Sequence, residues 1–225
     1  MILFFTQHVM LYLLFMKIFS HRGWAAGEHE NTIFAFKKSV EEGIGGVEFD
    51  VRYGADGKTV VCAHDPVSCS TAVTLDEVLQ YLEPIKLELL IELKEYSEEF
   101  YKDVVCLVRK HCLTNRTTIF GFPSEAKFFP WGSRQDVKLG IIAPYPQDIK
   151  RYVEMYEPNM VLMGWGNKKE RLKFKLAWSV LSLSKTFSRY SQIKFVIGVA
   201  YGSDDKKWLS RQRGLYGITA DMPII

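Results

Sequence analysis

The stretch GVEFDVRYGADGKTVVCAHDP, residues 46–66, reads as a strand, a tight turn and a returning strand. Val47, Phe49 and Val51 alternate with Glu48 and Asp50, the two-residue period of a β-strand, whose successive side chains point to opposite faces. Asp56-Gly57 supplies a hairpin turn signal, and His64 ends the second apolar run. Two carboxylates on one face of an apolar strand repel each other and lose hydration unless a cation compensates them. The question this strand poses is what stands opposite Glu48 and Asp50.

Outward from it, short apolar runs alternate with longer amphipathic stretches. Strands are expected at 17–22, 46–53, 59–64, 87–94, 117–122, 137–143, 159–165 and 193–200, with a further short one at 216–220. Helices are expected at 32–43, 75–82, 97–112, 124–130, 147–156, 168–188 and 204–213. Asn31 or Thr32 caps the first helix, and Gly43 closes it. This alternation implies parallel strands joined by crossover helices. Eight strand signals, with no Gly-x-Gly-x-x-Gly after the first strand and no Walker loop, predict an α/β protein of the TIM (β/α)8 barrel class. The connection between the second and third strands is hairpin-like. No linker or repeat divides residues 16–225, which are read as one domain.

The chain has 225 residues, 48% hydrophobic and 24% charged, with a formal net charge of +3. That composition supplies a sizeable core, and the charge argues against a nucleic-acid partner. Cys62, Cys69, Cys106 and Cys112 show no CxxC or zinc spacing, and are read as reduced thiols of a cytoplasmic protein. MILFFTQHVMLYLLFM, residues 1–16, is apolar but interrupted by Gln7 and His8. It is too short for a membrane span and lacks the positive start of a secretory signal. Residues 1–15 are therefore an extension of open role, with peripheral membrane contact the less favoured alternative. Met16 offers a natural start for the first strand. The oligomeric state is left open.

The polar residues of interest fall near the C-terminal ends of strands, where barrel enzymes build their sites. His21-Arg22-Gly23 ends the first strand, Glu48 and Asp50 share a face of the second, and His64-Asp65 ends the third. Glu92 and Lys94 share a face of the fourth. Taken alone, Glu92 and Lys94 are equally a strand-end salt bridge, and His64 a structural histidine. As a set, three hard oxygen donors suit one divalent cation, Mg²⁺ or Ca²⁺.

HRGWAAGEHENTIFAF, then GVEFDVRYGADGKTVVCAHDP, then LLIELK resembles the glycerophosphodiester phosphodiesterase family, with its His-Arg-Gly, Glu-Asn-Thr, Glu-x-Asp-Val, Asp-Gly and His-Asp motifs. The resemblance is dense over residues 17–95. Beyond them it thins to Phe122 in IFGF and the closing GLYGITADMP. It implies a TIM barrel acting as a phosphoric diester hydrolase on a small-molecule phosphodiester. By this likeness Glu48, Asp50 and Glu92 hold the metal, and His21 and His64 are the acid–base pair. Arg22 contacts the phosphate, Lys94 is a second cationic contact to the phosphate or the attacking group, and Phe122 lies by the substrate. Several positions depart from the family pattern. His29 stands where Pro is usual, Tyr216-Gly217 replaces Asp-Gly, and the segment after His64 is short. VAYG, residues 199–202, replaces Trp-Thr-Val-Asn, which removes an aromatic wall and an amide; Trp165 is read as a substitute wall or a core residue.

The resemblance implies hydrolysis of a glycerophosphodiester such as glycerophosphocholine or glycerophosphoethanolamine to glycerol 3-phosphate and an alcohol. One alternative is a phospholipase D-like enzyme acting on lysophospholipid or sphingomyelin, since sphingomyelinase D has a similar layout. Another is a non-catalytic phosphate- or lipid-binding barrel. The basic stretch 168–188 is read as an outer barrel helix with a solvated end rather than a lipid-docking helix.

Overall fold

The computed structural model describes residues 16–24, 29–68, 72–132 and 136–222. Cys69 and the extension 1–15 lie outside the described residues. Eight parallel strands form a closed ring: β1 (Lys17–His21), β2 (Gly46–Tyr53), β4 (Glu88–Leu93), β5 (Thr117–Phe120), β6 (Lys138–Ile142), β7 (Met160–Gly164), β8 (Lys194–Ala200) and β9 (Leu215–Ala220). β1 pairs with both β2 and β9, which closes the barrel. The TIM-barrel expectation holds, but two strands exchange parts.

The returning strand β3 (Val60–Cys62) is not a stave of the ring. β2 is long enough to have two neighbours on one edge. Its first residues pair with β1, from Phe19↔Gly46 to His21↔Glu48. Its last three pair antiparallel with β3, from Val51↔Cys62 to Tyr53↔Val60. A short hairpin reverses the chain, whereas a parallel neighbour needs a crossover. β3 therefore extends the edge of β2 above the end of β1, and the eighth stave is β9, the short strand expected as an addition.

Alternation sorts the side chains. Val47, Phe49, Val51, Leu89 and Ile91 face outward and pack with Phe36, Leu75, Leu79, Phe100 and Val104 of the surrounding helices. Inside the ring, Phe19, Leu90, Phe120, Met160, Leu162 and Val196 form a separate apolar plug. Gly46 makes room for it, because a Cβ there would lie 2.5 Å from the Phe19 ring. Two residues along β1, β2 and β4 from this plug lie His21, Glu48 and Glu92, so the site rests on a packed floor.

The helices are α1 (Ile33–Glu41), α2 (Leu75–Leu82), α3 (Glu98–Lys110), α4 (Pro123–Ala126), α5 (Ile149–Tyr156), α6 (Lys168–Val180), α7 (Leu183–Arg189) and α8 (Ser203–Leu209). Thr32 caps α1, and Thr74 with Glu77 forms a capping box on α2. The single helix expected over 168–188 is two, broken at Ser182 in the left-handed region (φ 50°). Phe187 lies nine residues beyond Trp178, about two and a half helical turns. In an unbroken helix it would face away from Trp178; the break returns Leu183 and Phe187 to the core, where Phe187 stacks on Phe195 with centroids 4.1 Å apart. No helix among the described residues is long and apolar enough to cross a membrane.

At the N-terminal end of the barrel, Glu88 pairs with Lys17, accepts a hydrogen bond from the Tyr216 hydroxyl, and lies 3.4 Å from Lys194. Burial opposes ionisation of Glu88, but Lys17, Tyr216 and Lys194 outweigh it and hold the carboxyl below its ordinary range. A depressed carboxyl stabilises the fold above its unfolded pKa and loses that contribution as pH falls through its folded pKa. Glu88→Gln should therefore cost about 2 kcal/mol, or about 4–8 °C in Tm, at neutral pH. Thermal melts from pH 7 to pH 3 should show the gap between variant and wild type closing on the acid side; a gap that widens would contradict the assignment.

Candidate active site

The turn after β1 sets the geometry. Arg22 and Gly23 both take positive φ, 54° and 73°, and a Cβ on Gly23 would lie 2.5 Å from the Ala35 Cβ of α1. Only glycine lets the chain turn this close to the helix. The turn aims the Arg22 backbone N–H at Glu48 Oε2 (3.1 Å). It also brings the Arg22 guanidinium to Asp50 Oδ2 (Nε, 3.0 Å) and Glu30 Oε2 (2.9 Å). Asn31 clasps Asp50 twice: its Nδ2 donates to Oδ2 (3.1 Å), and its Oδ1 accepts from the Asp50 backbone N–H (3.0 Å). The sequence marked Glu30 only as a motif letter and Asn31 as a motif letter or helix cap; Thr32 takes the cap, and the contacts show Glu30 and Asn31 orienting Arg22 and Asp50.

Glu48, Asp50 and Glu92 converge, each offering an oxygen within 4.8 Å of the others, and all three are buried. Lys94, just past β4, lies 2.9 Å from Asp50 Oδ1 and pairs with Glu92. Burial pushes Glu48 up to about 8; the pull of His21 is countered by repulsion from Asp50 and Glu92. Burial also raises Glu92, with Lys94 opposing. For Asp50, burial is outweighed by Lys94 and Arg22, and the carboxyl stays low. The cluster thus holds one compensated carboxylate and two that lack a sufficient cation. Three buried oxygen donors short of positive charge fit a hard divalent ion.

His21 Nδ1 is 2.6 Å from Asp221 Oδ1, and its Nε2 is 3.9 Å from Glu48 Oε2. Burial disfavours the imidazolium, but Asp221 and Glu48 outweigh it and raise the His21 pKa. Asp221 was missed as a site residue. Its signal was its place in GLYGITADMP, one residue past the last strand and so on the rim.

His64 lies beyond the end of β3 rather than on it, because the strand stops at Cys62. Its orientation is set by the loop: Arg52 donates to the His64 carbonyl (2.9 Å), and Asp65 Oδ1 is 2.9 Å from Nδ1.

Both histidines open onto one cavity of about 570 Å³ at the C-terminal rim. Arg22, Glu48, Glu92 and Lys94 line its polar side, while Phe120, Phe122, Leu162, Met163, Trp165 and Tyr201 line the apolar side. Asp50 is buried behind Arg22 and Lys94. Phe122 is exposed at the rim. Trp165 is buried edge-on to Phe174, with no acceptor for its indole N–H among the described residues. Within VAYG, Tyr201 lines the same cavity.

The fold and rim define a parallel α/β barrel with an acidic, histidine-bearing mouth. Residues 21–80 match the model of the glycerophosphoryl diester phosphodiesterase family, so the resemblance read from the motifs is matched in sequence over that stretch. An uncharacterized protein of Bacillus subtilis, YqiK, is 40% identical over 57 residues, 25% of this chain and 24% of its own length. A glycerophosphodiester phosphodiesterase of Bacillus altitudinis is 36% identical over 55 residues, 24% of this chain and 22% of its own. The matched stretch thus spans about a quarter of the length of these curated relatives. In fold the likeness is wider. An Oleispira antarctica phosphodiesterase, solved in complex with its product sn-glycerol-3-phosphate, aligns with 94% of this chain and 95% of its own. The TM-score is 0.68 and the identity 16%.

Proposed function

We propose that this chain is a metal-dependent glycerophosphodiester phosphodiesterase, releasing glycerol 3-phosphate and an alcohol. The observation that carries the reading is the convergence of two histidines and a buried three-carboxylate cluster on one cavity. The family match supports it, since residues 21–80 include His21, Arg22, Glu48, Asp50 and His64.

Glu48, Asp50 and Glu92 would hold one divalent cation, Mg²⁺ or Ca²⁺, which when bound supplies positive charge to a non-bridging phosphate oxygen. Arg22 and Lys94 bind the diester's anionic oxygens and hold it against the polar wall. One histidine takes the proton from the attacking hydroxyl, of water or of the glycerol itself, and the other protonates the leaving alkoxide. Asp221 fixes the His21 ring through Nδ1, leaving Nε2 for proton transfer. Phe122 and Trp165, which line the cavity, contact the uncharged parts of the substrate.

A second reading, a phospholipase D-like enzyme on lysophospholipid or sphingomyelin, draws on the apolar wall of Leu162, Met163, Val196 and Val199. A substrate panel separates the two. Glycerophosphocholine and glycerophosphoethanolamine should yield glycerol 3-phosphate with Mg²⁺ or Ca²⁺ and none with EDTA. Faster turnover of lysophosphatidylcholine or sphingomyelin would favour the second reading, and binding of diesters without turnover under any metal would leave a non-catalytic barrel.

A further inference from the structure

α6 is apolar on two opposite sides. Phe174 and Trp178 are buried, Phe174 against Trp165 and Trp178 against Phe187 and Trp208. These contacts fix the helix to the barrel. On the far side Leu172, Leu176 and Val180 follow one another at four-residue intervals, so they form a single stripe. They are 62%, 62% and 81% exposed. The bland expectation for this segment, a solvated basic face, accounts for the lysines but not for three large aliphatic side chains in a row. A contiguous exposed apolar patch of this kind marks a contact surface.

The charge around the stripe says what it contacts. Lys169 and Lys173 lie on the same face as the stripe, and Lys168, Lys185 and Arg189 are exposed nearby on α6 and α7. The only acid from Asn167 to Tyr190 is Glu170. Its carboxylate accepts from the Gly166 N–H and the Asn167 side chain at the helix start, turned toward the cavity it helps to line. Arg171 and Lys175, by contrast, are spent on the buried Asp205, 2.7 and 2.9 Å away. The outer face therefore combines aliphatic side chains with cations that no carboxylate pairs among the described residues, the pattern of helices that lie in the interface of an anionic bilayer.

Placement adds to the case. Gly166 and Glu170, at the start of α6, line the cavity mouth, so a surface bound along α6 lies beside the opening.

We propose that the outer face of α6, with Leu172, Leu176 and Val180 inserted and Lys168, Lys169 and Lys173 at the headgroups, docks this chain on an anionic lipid surface. The proposal does not depend on the catalytic reading, and its test needs no turnover. The full chain is co-sedimented with vesicles of phosphatidylcholine alone and with phosphatidylglycerol added, at low and high salt. Wild type should bind the anionic vesicles at least about tenfold more tightly than the neutral ones, and salt should weaken the binding. The triple variant Leu172→Ser, Leu176→Ser, Val180→Ser changes only exposed positions, and its melt should match wild type. It should lose about tenfold or more in anionic-vesicle affinity, as should Lys168→Glu, Lys169→Glu, Lys173→Glu.

Residues 1–15 are present in every protein tested, so vesicle binding unchanged in both triple variants would assign it to that segment and overturn the proposal. Absence of binding by wild type would overturn it too. So would a wild-type dimer in light scattering that the serine variant loses without any vesicle binding, since the stripe would then be a protein contact. If the serine variant's melt falls, the lysine variant alone decides.

Discussion

His21→Ala should lower kcat by about 10²–10⁴-fold, and His64→Ala by a similar factor, the range for removing a positioned acid or base. Neither histidine belongs to the three-carboxylate cluster, so both variants should keep the metal-induced rise in Tm. Asp221→Asn supplies the finer test. It preserves the size of the group at 2.6 Å from His21 Nδ1 but removes the charge that favours the imidazolium. Its loss should be in kcat with KM little changed, and smaller than that of His21→Ala. If either histidine variant lost metal-induced stabilisation along with turnover, that histidine would be a ligand rather than a proton carrier. If Asp221→Asn matched wild type across the pH profile, the Asp221 contact would be structural only.

The second large effect concerns the acids. Adding Mg²⁺ or Ca²⁺ to wild type at a hundred times Kd should stabilise the fold by about 2.7 kcal/mol, a rise of about 5–11 °C in Tm for a chain of this size. Glu92→Gln and Glu48→Gln should each abolish that rise at the same metal concentration and reduce turnover to the metal-free level. The metal-free proteins should behave differently. Burial raises the Glu48 pKa, which favours the neutral carboxyl when no metal is bound. Glutamine resembles that neutral form, and metal-free Glu48→Gln should melt at or above metal-free wild type. Asp50→Asn should melt lower, because Arg22 and Lys94 would lose the carboxylate that neutralises them. Calorimetric melts with metal and with EDTA read both effects. Full metal stabilisation in Glu48→Gln would remove Glu48 from the proposed ligand set.

Much of the site was legible because its signals are local. Glu48 and Asp50 share a face by the two-residue period alone, as do Glu92 and Lys94, and the structure keeps both pairs together. The Asp56-Gly57 turn likewise places a strand back along β2. His64 is expected at the end of the third strand, but β3 ends at Cys62 and the Arg52 contact holds the loop instead. Asn31 and Asp221 could not be read as partners of Asp50 and His21, because each contact joins distant parts of the chain. The break at Ser182 left only a phase shift in the apolar pattern, which a single long helix over 168–188 does not accommodate.

The amino-acid order by itself determined the strand and helix alternation, the hairpin after β2, and the acids and histidines at strand ends. Each follows from side-chain period, turn chemistry or motif spacing within a few residues. The tertiary structure alone decided that β9 rather than β3 closes the ring. It also decided that Asp221 holds His21, and that the outer face of α6 finds no partner among the described residues. Those outcomes depend on which surfaces remain once the staves have closed and the core is filled, and burial of that kind belongs to the whole chain rather than to any stretch of it.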